Sequence, residues 1–285
     1  MENKKYIDWH THTIYSDGLD SPAGLVRNSR LLGIQSLAIT DHDILAGYWE
    51  ALLEADKGGI ELVPGVEIST EVYHILGFGI DPKNPELNRF LDKVQGLQAK
   101  ICERRMEKLQ AAGFSIDMKK LKAAFPKSRL GKYNILLAML RDAECAEKII
   151  RKYGNIPSDE AFRLLFGNNG IAGEIENENS VESKEAIERI HAAGGIAIVA
   201  HPFKEAKTPR DLDSLLKDGI DGLEIQPNYN GRNVQFAEYA KQHNLLLTYG
   251  SDYHGAGFSR PLLGRGGDNY DNRIDVKEFF RRSNA

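Results

Sequence analysis

The sequence predicts an α/β fold in which a barrel of strands and helices is interrupted by a helical insertion. Short β-branched or aliphatic runs alternate with helical stretches in the first third of the chain and again near its end, which is typical of βα units. From about residue 82 to residue 179 the strand signal disappears, and long, charged, amphipathic stretches replace it. A chain of 285 residues is long enough for one α/β barrel, although length alone favours about two domains.

Cap and turn residues mark the elements of the first region, residues 1–81. A helix over Ser21–Leu32 begins with Ser21 as its N-cap and Pro22 in its first turn, and it ends at Gly33. A second helix covers Trp49–Asp56. The predicted strands of this region are Tyr6–His10, Ser36–Thr40, Ile60–Val63 and Val72–Gly79.

The βα pattern returns after the insertion, from residue 180 to residue 285. A helix over Glu182–Ala193 ends at a pair of glycines, and three strands follow it, Ile196–Ala200, Gly222–Gln226 and Leu245–Tyr249. We therefore assign residues 1–81 and 180–285 to the barrel and residues 82–179 to the inserted helical domain. The predicted helical stretches of that domain are Leu87–Ala112, Met118–Phe125 and Asn134–Arg151.

Composition narrows the class of protein. The chain carries 37 Lys and Arg against 41 Asp and Glu, a formal charge of −4, which argues against long, sequence-independent binding of nucleic acid. No apolar run is long enough to cross a membrane, and the first residues lack the apolar segment of a signal peptide. We therefore expect a cytoplasmic protein without membrane contact. The residues give no prediction of the oligomeric state.

Six of the eight histidines lie on or just after a predicted strand, and carboxylates lie close to them. In a parallel barrel all strand carboxyl ends open onto one face, where active sites are built, so we expect these side chains to converge. His10 and His12 are two residues apart, as are Asp252 and His254, and this spacing points both members of a pair to the same side. The six histidines are His10, His12, His42, His74, His201 and His254.

Acidic residues complete the set: Glu67 follows the third strand, and Asp17 lies in the first βα loop. Mixed imidazole and carboxylate ligands suit Zn, Mn or Fe rather than Ca or Mg. Nine candidate ligands exceed what one centre can use, so more than one ion is expected. Asp41 and Asp43 are weaker candidates, and either could orient an imidazole instead.

Seven short motifs in order along the chain resemble those of the polymerase-and-histidinol-phosphatase (PHP) family. The resemblance covers residues 6–81 and 182–264 and is strongest to the bacterial branch that acts on nucleotides and on RNA 5′ ends. It implies a distorted (β/α)7 barrel with a trinuclear metal site and a small inserted helical domain that covers the mouth of the site. The motifs are Asp8–Thr13, Ser16–Gly18, Ala38–Asp43, Pro64–Ser69, His74–Gly77, Ala200–Pro202 and Gly250–Gly255.

The resemblance also implies three divalent ions, Mn, Zn or Fe, and a ligand set for each. The first ion would be held by His10, His12, Glu67 and Asp252, and Glu67 would bridge to a second held by His74 and His201. The third would be held by Asp17, His42 and His254. Within this set, Glu67, Asp252, His201 and His254 are the predicted catalytic residues.

The predicted substrate contacts are Arg129, Lys132, Asn134 and Arg232. Family members of this branch carry a Gly-Arg-x-His segment in the inserted domain, whereas this chain has lysine at 132 and asparagine at 134. Arginine and lysine are natural partners for an anionic group of the substrate. The two differences affect the substrate rather than the metal chemistry, or they are simple drift in a loop.

The function predicted first is metal-dependent hydrolysis of a phosphate ester in a nucleotide or a short oligonucleotide, with a metal-activated hydroxide as the attacking group. The partner is then a small phosphorylated substrate, such as a nucleotide or the end of a short RNA or DNA. One alternative is a phosphatase for a small metabolite such as histidinol phosphate or a sugar phosphate. Another is a metal-binding regulatory module without turnover, although the complete set of nine ligands argues against it.

Overall fold

Eight strands form one mixed sheet in the computed structural model of this chain, which describes residues 4–173, 175, 181–225, 232–255, 262–264 and 273–282. In chain order the strands are β1 (Lys5–Asp8), β2 (Ser36–Ile39), β3 (Glu61–Ile68), β4 (Ile75–Phe78), β5 (Ile196–Val199), β6 (Gly222–Ile225), β7 (Leu246–Tyr249) and β8 (Arg273–Ile274). Their order across the sheet is β7-β6-β5-β4-β3-β2-β1-β8.

The sheet curls so that its two ends meet. Just after β1, the Trp9 backbone N–H donates to the carbonyl of Tyr249 in β7 at 3.1 Å. Thr11 and Tyr253 then form a parallel bridge, while β8 pairs antiparallel with the first half of β1. These contacts close the sheet into a distorted α/β barrel, which confirms the fold class predicted from the sequence.

Strand β4 runs antiparallel to both of its neighbours, β3 and β5. The expectation of an all-parallel barrel was therefore wrong at this strand. The connection from β3 to β4 covers only residues 69–74, and a parallel crossover needs about a dozen residues or more. Because β4 is reversed, its first end lies at the same edge as the carboxyl ends of the parallel strands. His74, just before β4, is placed at that edge.

Strand β3 extends beyond its predicted range, so that Glu67 lies within the strand instead of after it. The proline in this segment argues against a central strand by sequence alone. In the structure, Pro64 lies where β3 changes partner: Ile39 of β2 pairs with Pro64, and Gly65 already pairs with Phe78 of β4. The strand tolerates proline at the point where its ladder changes sides.

Helices surround the sheet and form the insertion. They are α1 (Pro22–Leu31), α2 (Ala46–Gly58), α3 (Pro85–Ala111), α4 (Met118–Ala124), α5 (Lys132–Arg141), α6 (Ala143–Tyr153), α7 (Ser158–Phe166), α8 (Ser183–Ala192), α9 (Asp213–Lys217), α10 (Arg232–Gln242) and α11 (Val276–Arg282). Ser21 caps α1 as predicted, with its side chain accepting from the Gly24 N–H. The single predicted stretch Asn134–Arg151 is two helices, because Asp142 ends α5 and caps α6.

The helices α3 to α7 bury an apolar cluster of their own, separate from the clusters that line the sheet. Leu109, Leu136, Leu165 and Phe166 are at most 1% exposed within it. Residues 174 and 176–180 are outside the described part of the chain, so the domain boundaries at 82 and 179 stay a prediction. No described helix is both long enough and apolar enough to span a membrane.

Candidate metal centre

The nine ligands predicted from the sequence meet at one edge of the barrel. Five imidazoles surround the carboxylate of Glu67, which is completely buried on β3. Its Oε2 lies 3.2 Å from His10 Nε2, 3.1 Å from His12 Nε2 and 3.1 Å from His42 Nδ1, and its Oε1 lies 2.9 Å from His74 Nδ1 and 3.2 Å from His201 Nε2. The structure thus places Glu67 at the centre of the set.

Two further carboxylates flank this centre. Asp252 Oδ1 lies 3.5 Å from His10 Nε2 and 3.4 Å from His12 Nε2. Asp17 Oδ1 lies 3.2 Å from His254 Nε2 and 3.8 Å from His42 Nε2. The predicted convergence of strand ends is therefore present, with carboxylates and imidazoles alternating.

Unpartnered buried atoms show that cations fit this set. Among the described residues, Asp17 Oδ1, His42 Nδ1 and Glu67 Oε2 are buried without a hydrogen-bond partner. A buried polar atom without a partner costs about 1–3 kcal/mol, and more when it is charged. A divalent cation would satisfy both carboxylate oxygens and the imidazole lone pair at once.

Three groups of side chains bring their ligand atoms within 4.8 Å of one another. They are His10, His12 and Glu67; His42, Glu67 and His74; and His12, Asp17, His42 and His254. The first and third groups contain most of the ligands predicted for two of the ions. The second has His42 where the resemblance implied His201, so the assignment of ligands to individual ions stays a prediction.

Electrostatics support the same arrangement. Burial would raise the pKa of Glu67, but His42, His10 and His74 hold that pKa well below its usual value. Burial lowers the pKa of His12, yet Asp252, Glu67 and Asp17 raise it to about 9. Glu67 is therefore ionised, and a bound cation would have to displace protons from imidazoles such as His12.

Glu224, which was not predicted from the sequence, forms hydrogen bonds to two of the predicted ligands, His10 and His201. Its Oε1 lies 2.7 Å from His10 Nδ1, and its Oε2 accepts from the His201 backbone N–H at 2.7 Å. A Cβ at Gly250 would lie 2.2 Å from the Cβ of His10 and 2.6 Å from Glu224 Oε1, so only glycine permits this approach. The available signal was an acidic residue inside the otherwise apolar strand β6.

Asp41 and Asp43 accept hydrogen bonds from the loops around the centre. Asp41 accepts from the Thr13 N–H at 2.7 Å and from the Ser16 hydroxyl at 2.6 Å. Asp43 accepts from the backbone N–H of Ser69 at 2.7 Å. Ser16 Oγ in turn lies 3.3 Å from His12 Nδ1, so Asp41 reaches this imidazole through Ser16, and the orienting role suggested for it stays a prediction.

Backbone strain is concentrated around the centre. His201 has φ of 30°, Asp252 of 56° and Asp43 of 58°, all in the left-handed region that non-glycine residues rarely adopt. Such residues cost about 1–3 kcal/mol each and persist where the surroundings hold them. Here the strain turns two predicted ligands, His201 and Asp252, towards the shared edge.

A cleft of about 830 Å³ opens above the centre, a size that suits a small-molecule ligand. Predicted ligands form one wall of this cleft, and side chains of the helical insertion line the other. The insertion residues in the wall include Gln98, Ile101, Arg105, Arg129, Lys132, Tyr133 and Phe162.

The predicted substrate contacts differ in how they meet this cleft. Lys132 and Arg129 line it, but Arg129 also forms an ion pair with Asp43 at 3.0 Å. Asn134 is 1% exposed and is not among the described residues that line the cleft. Its Oδ1 accepts from the Gly131 N–H at 2.7 Å, and its Nδ2 donates to a carbonyl of the first βα loop. The side chain of Arg232 lies outside the described residues.

Known proteins are similar to this chain in sequence and in fold. A 5′-3′ exoribonuclease of Haemophilus influenzae is 33% identical over 97% of this chain and 99% of its own length. A phosphoribosyl 1,2-cyclic phosphate 1,2-diphosphodiesterase of Eggerthella lenta is 26% identical, covering 87% of this chain and 94% of its own. A crystal structure from Bifidobacterium adolescentis, described as that of a metal-dependent phosphoesterase, superimposes on this chain with a TM-score of 0.78 and 27% identity. The match covers 97% of this chain and 96% of that one.

The family model of the PHP domain matches residues 8–193, which include most of the predicted ligands and the helical insertion. Together with the ordered motifs, this match confirms the resemblance inferred from the sequence. The chain belongs to the PHP domain family.

Proposed function

We propose that this chain is a metal-dependent phosphoesterase that hydrolyses a phosphate ester of a nucleotide or of the end of a short oligonucleotide. The observation that carries the proposal is the Glu67 carboxylate surrounded by five imidazoles at the floor of a cleft. The chain is then an enzyme of the phosphoric ester hydrolase class, as the names of its relatives indicate.

Three divalent ions, Mn, Zn or Fe, would be held by the nine predicted ligands. When bound, such ions lower the pKa of a coordinated water and neutralise the charge on the phosphoryl oxygens. The chain itself fixes the ligands: Glu224 sets the His10 ring, and the strained backbone turns His201 and Asp252 inward.

The substrate class follows from the cleft and from the relatives. A volume of about 830 Å³ accommodates a nucleotide or a chain end but not a folded nucleic acid. A relative named as an exoribonuclease aligns along nearly the whole chain. A net charge of −4 also favours a small anionic substrate over a long one.

A second candidate is hydrolysis of a small sugar phosphate. The diphosphodiesterase of Eggerthella lenta, whose name specifies a phosphoribosyl cyclic phosphate, aligns over 87% of this chain. The cleft volume suits such a ligand equally well. Comparing rates on nucleotides, short 5′-phosphorylated RNAs and sugar phosphates separates the two candidates.

Metal analysis tests the proposal. Gently purified protein is expected to hold well above one equivalent of divalent transition metal, because the ligand groups extend across three overlapping sets. Elemental analysis after gel filtration measures the content, and phosphate release in the presence of Mn measures activity. Protein that binds no metal after incubation with Mn or Zn would contradict the metal centre. Metal-loaded protein that hydrolyses no phosphate ester would instead indicate a regulatory module.

Asn134 is expected to affect substrate binding indirectly, because its hydrogen bond from the Gly131 N–H holds the neighbouring Lys132 in place. Asn134→Ala removes the bond to Gly131, so we expect a loss of about 1 kcal/mol in the free energy of unfolding and a higher KM, with metal content unchanged. Asn84→Ala is a matched control, since Asn84 caps α3 and does not line the cleft. Thermal unfolding and steady-state kinetics measure both variants. An unchanged KM in Asn134→Ala would show that this segment does not contribute to substrate binding.

A further inference from the structure

Ser128 and Arg129 lie between α4 and α5 and connect the helical insertion to the first βα loop of the barrel. The backbone N–H of Arg129 donates to the carbonyl of Tyr15 at 2.9 Å. The hydroxyl of Ser128 donates to the carbonyl of Ser16. These bonds fix the insertion to the loop residues that directly precede the predicted ligand Asp17.

The side chain of Arg129 reaches further into the barrel and contacts two other loops. Its Nη2 lies 3.0 Å from Asp43 Oδ2 and donates to the Ser69 hydroxyl at 2.9 Å. Its Nε lies 3.5 Å from the carbonyl oxygen of His42. Only 9% of this side chain is exposed, so water screens the charged contacts weakly.

These contacts meet at the turn that carries the His42 ring. Asp43, the next residue, has φ of 58°, a strained value that persists only where the surroundings hold it. The N–H of Asp43 donates to the Glu67 carbonyl at 2.9 Å, and its carboxylate accepts from the Ser69 N–H at 2.7 Å. Arg129 neutralises that buried carboxylate and thereby stabilises the turn.

A third ligand also contacts the insertion. The ring of Tyr133, in α5, lies 5.6 Å from the ring of His254, measured between centroids. Asp17, His42 and His254 belong, together with His12, to one group whose ligand atoms lie within 4.8 Å of one another. The insertion therefore contacts the loop, the turn or the ring that places each of the three ligands predicted for the third ion.

We propose that the insertion controls occupancy of the third metal site, with Arg129 as the positioning residue. The inference rests on the three-ion centre of the proposed function and gives Arg129 a role other than the substrate contact predicted from the sequence. Arg129 acts through Asp43 and the turn at His42. A guanidinium suits this role, because its planar fork contacts carboxylate, hydroxyl and carbonyl acceptors at the same time.

Metal analysis of Arg129→Gln tests the role directly. At a Mn concentration that just saturates the parent, we expect the variant to hold about one equivalent less. Competition with a chelator should show affinity about 10–100-fold weaker for that ion and within about twofold of the parent for the others. Arg129→Lys keeps the charge without the planar fork, so it should recover part of the affinity. Arg151→Gln is the matched control, since Arg151 forms an exposed ion pair with Glu147 in the same insertion.

Kinetics separate positioning from direct contact with the substrate. For an ester that the parent hydrolyses, a positioning role lowers kcat of Arg129→Gln, and excess Mn restores it to within a few-fold, with KM changed less than about threefold. A raised KM with unchanged metal content would show a substrate contact and overturn the proposal. Unchanged affinity for every ion, or an equal loss at all of them, would overturn it as well.

A second variant keeps the proposal testable if Arg129→Gln does not fold, since that change leaves Asp43 buried without its charged partner. The double variant Arg129→Gln, Asp43→Asn removes both charges, and we expect it to fold and to show the same loss of one ion. Thermal unfolding reports folding, and a folded double variant with full metal content would contradict the role of Arg129. A parent protein that holds metal but hydrolyses no ester would overturn the proposed function, while the metal measurements would still decide the role of Arg129.

Discussion

Glu67→Gln is expected to lower kcat by about 100-fold or more, equivalent to about 2.7 kcal/mol of activation free energy, and to remove most of the bound metal. Glutamine has nearly the same shape as glutamate but carries no charge and offers one acceptor oxygen in place of two. Glu67 uses both oxygens, with three imidazoles near Oε2 and two near Oε1. The amide would place an N–H group against nitrogens that are needed as ligands.

The surroundings explain why no neighbour can replace this carboxylate. Glu67 is 0% exposed and has its pKa held well below the usual value by His42, His10 and His74. Its negative charge in turn raises the pKa of His10 and of His12. Removing the charge therefore changes the protonation of the whole cluster as well as one ligand.

Elemental analysis after gel filtration and steady-state phosphate release measure the effect. Glu61→Gln is a suitable control, because Glu61 begins the same strand and forms a surface ion pair with Lys5. The control should keep parent metal content and rate. If Glu67→Gln retained both full metal content and near-normal turnover, the central role of this residue would be wrong.

The ligand set could be predicted because strand ends in a barrel meet at one edge. His10, His12 and Asp252 lie at or just after the ends of strands in the repeating βα pattern, and that pattern places them without any knowledge of tertiary contacts. The prediction of His74 as a ligand assumed a parallel strand, and this assumption was wrong. His74 precedes an antiparallel strand, and the reversal of β4 brings its first end to the edge where the other strands finish.

The supporting residues could not be predicted in the same way. Glu224 lies inside β6, where sequence alone gives no reason to distinguish a carboxylate that orients ligands from one that caps a neighbouring strand. Arg105 follows Glu103 and Arg104 in a charged helical run. The residue that faces the cleft depends on how α3 packs against the barrel, and tertiary contacts decide this.

Glu224→Gln is expected to weaken metal affinity by about 10–100-fold, the usual cost of losing a carboxylate that orients a ligating histidine. Glu224 accepts from His10 Nδ1 through one oxygen and from the His201 N–H through the other. With a cation bound, this arrangement would leave the Nε2 of His10, which faces Glu67 and Asp252, as the ring nitrogen without a proton. Glutamine has only one acceptor oxygen, so its NH2 group must face one of these two donors.

Either orientation of that amide disturbs a ligand. If the NH2 group faces His10, the ring changes tautomer and its Nε2 acquires a proton, which removes the lone pair that a cation needs. If it faces the His201 N–H, two donors meet in a buried site, and the strained turn at His201 loses its support. Competition with a chelator measures the affinity, and Glu185→Gln, at an exposed ion pair with Lys93, is the control.

Excess Mn distinguishes positioning from direct catalysis in the same variant. A residue that only orients ligands should allow kcat of Glu224→Gln to recover to within a few-fold of the parent when the site is saturated. Glu224→Asp keeps the charge with a shorter reach, so we expect it to restore part of the affinity. Metal affinity of Glu224→Gln within twofold of the parent would show that His10 keeps its tautomer without this carboxylate. In that case the hydrogen bonds of Glu224 would stabilise only the packing of the strand ends and would not orient the metal ligands.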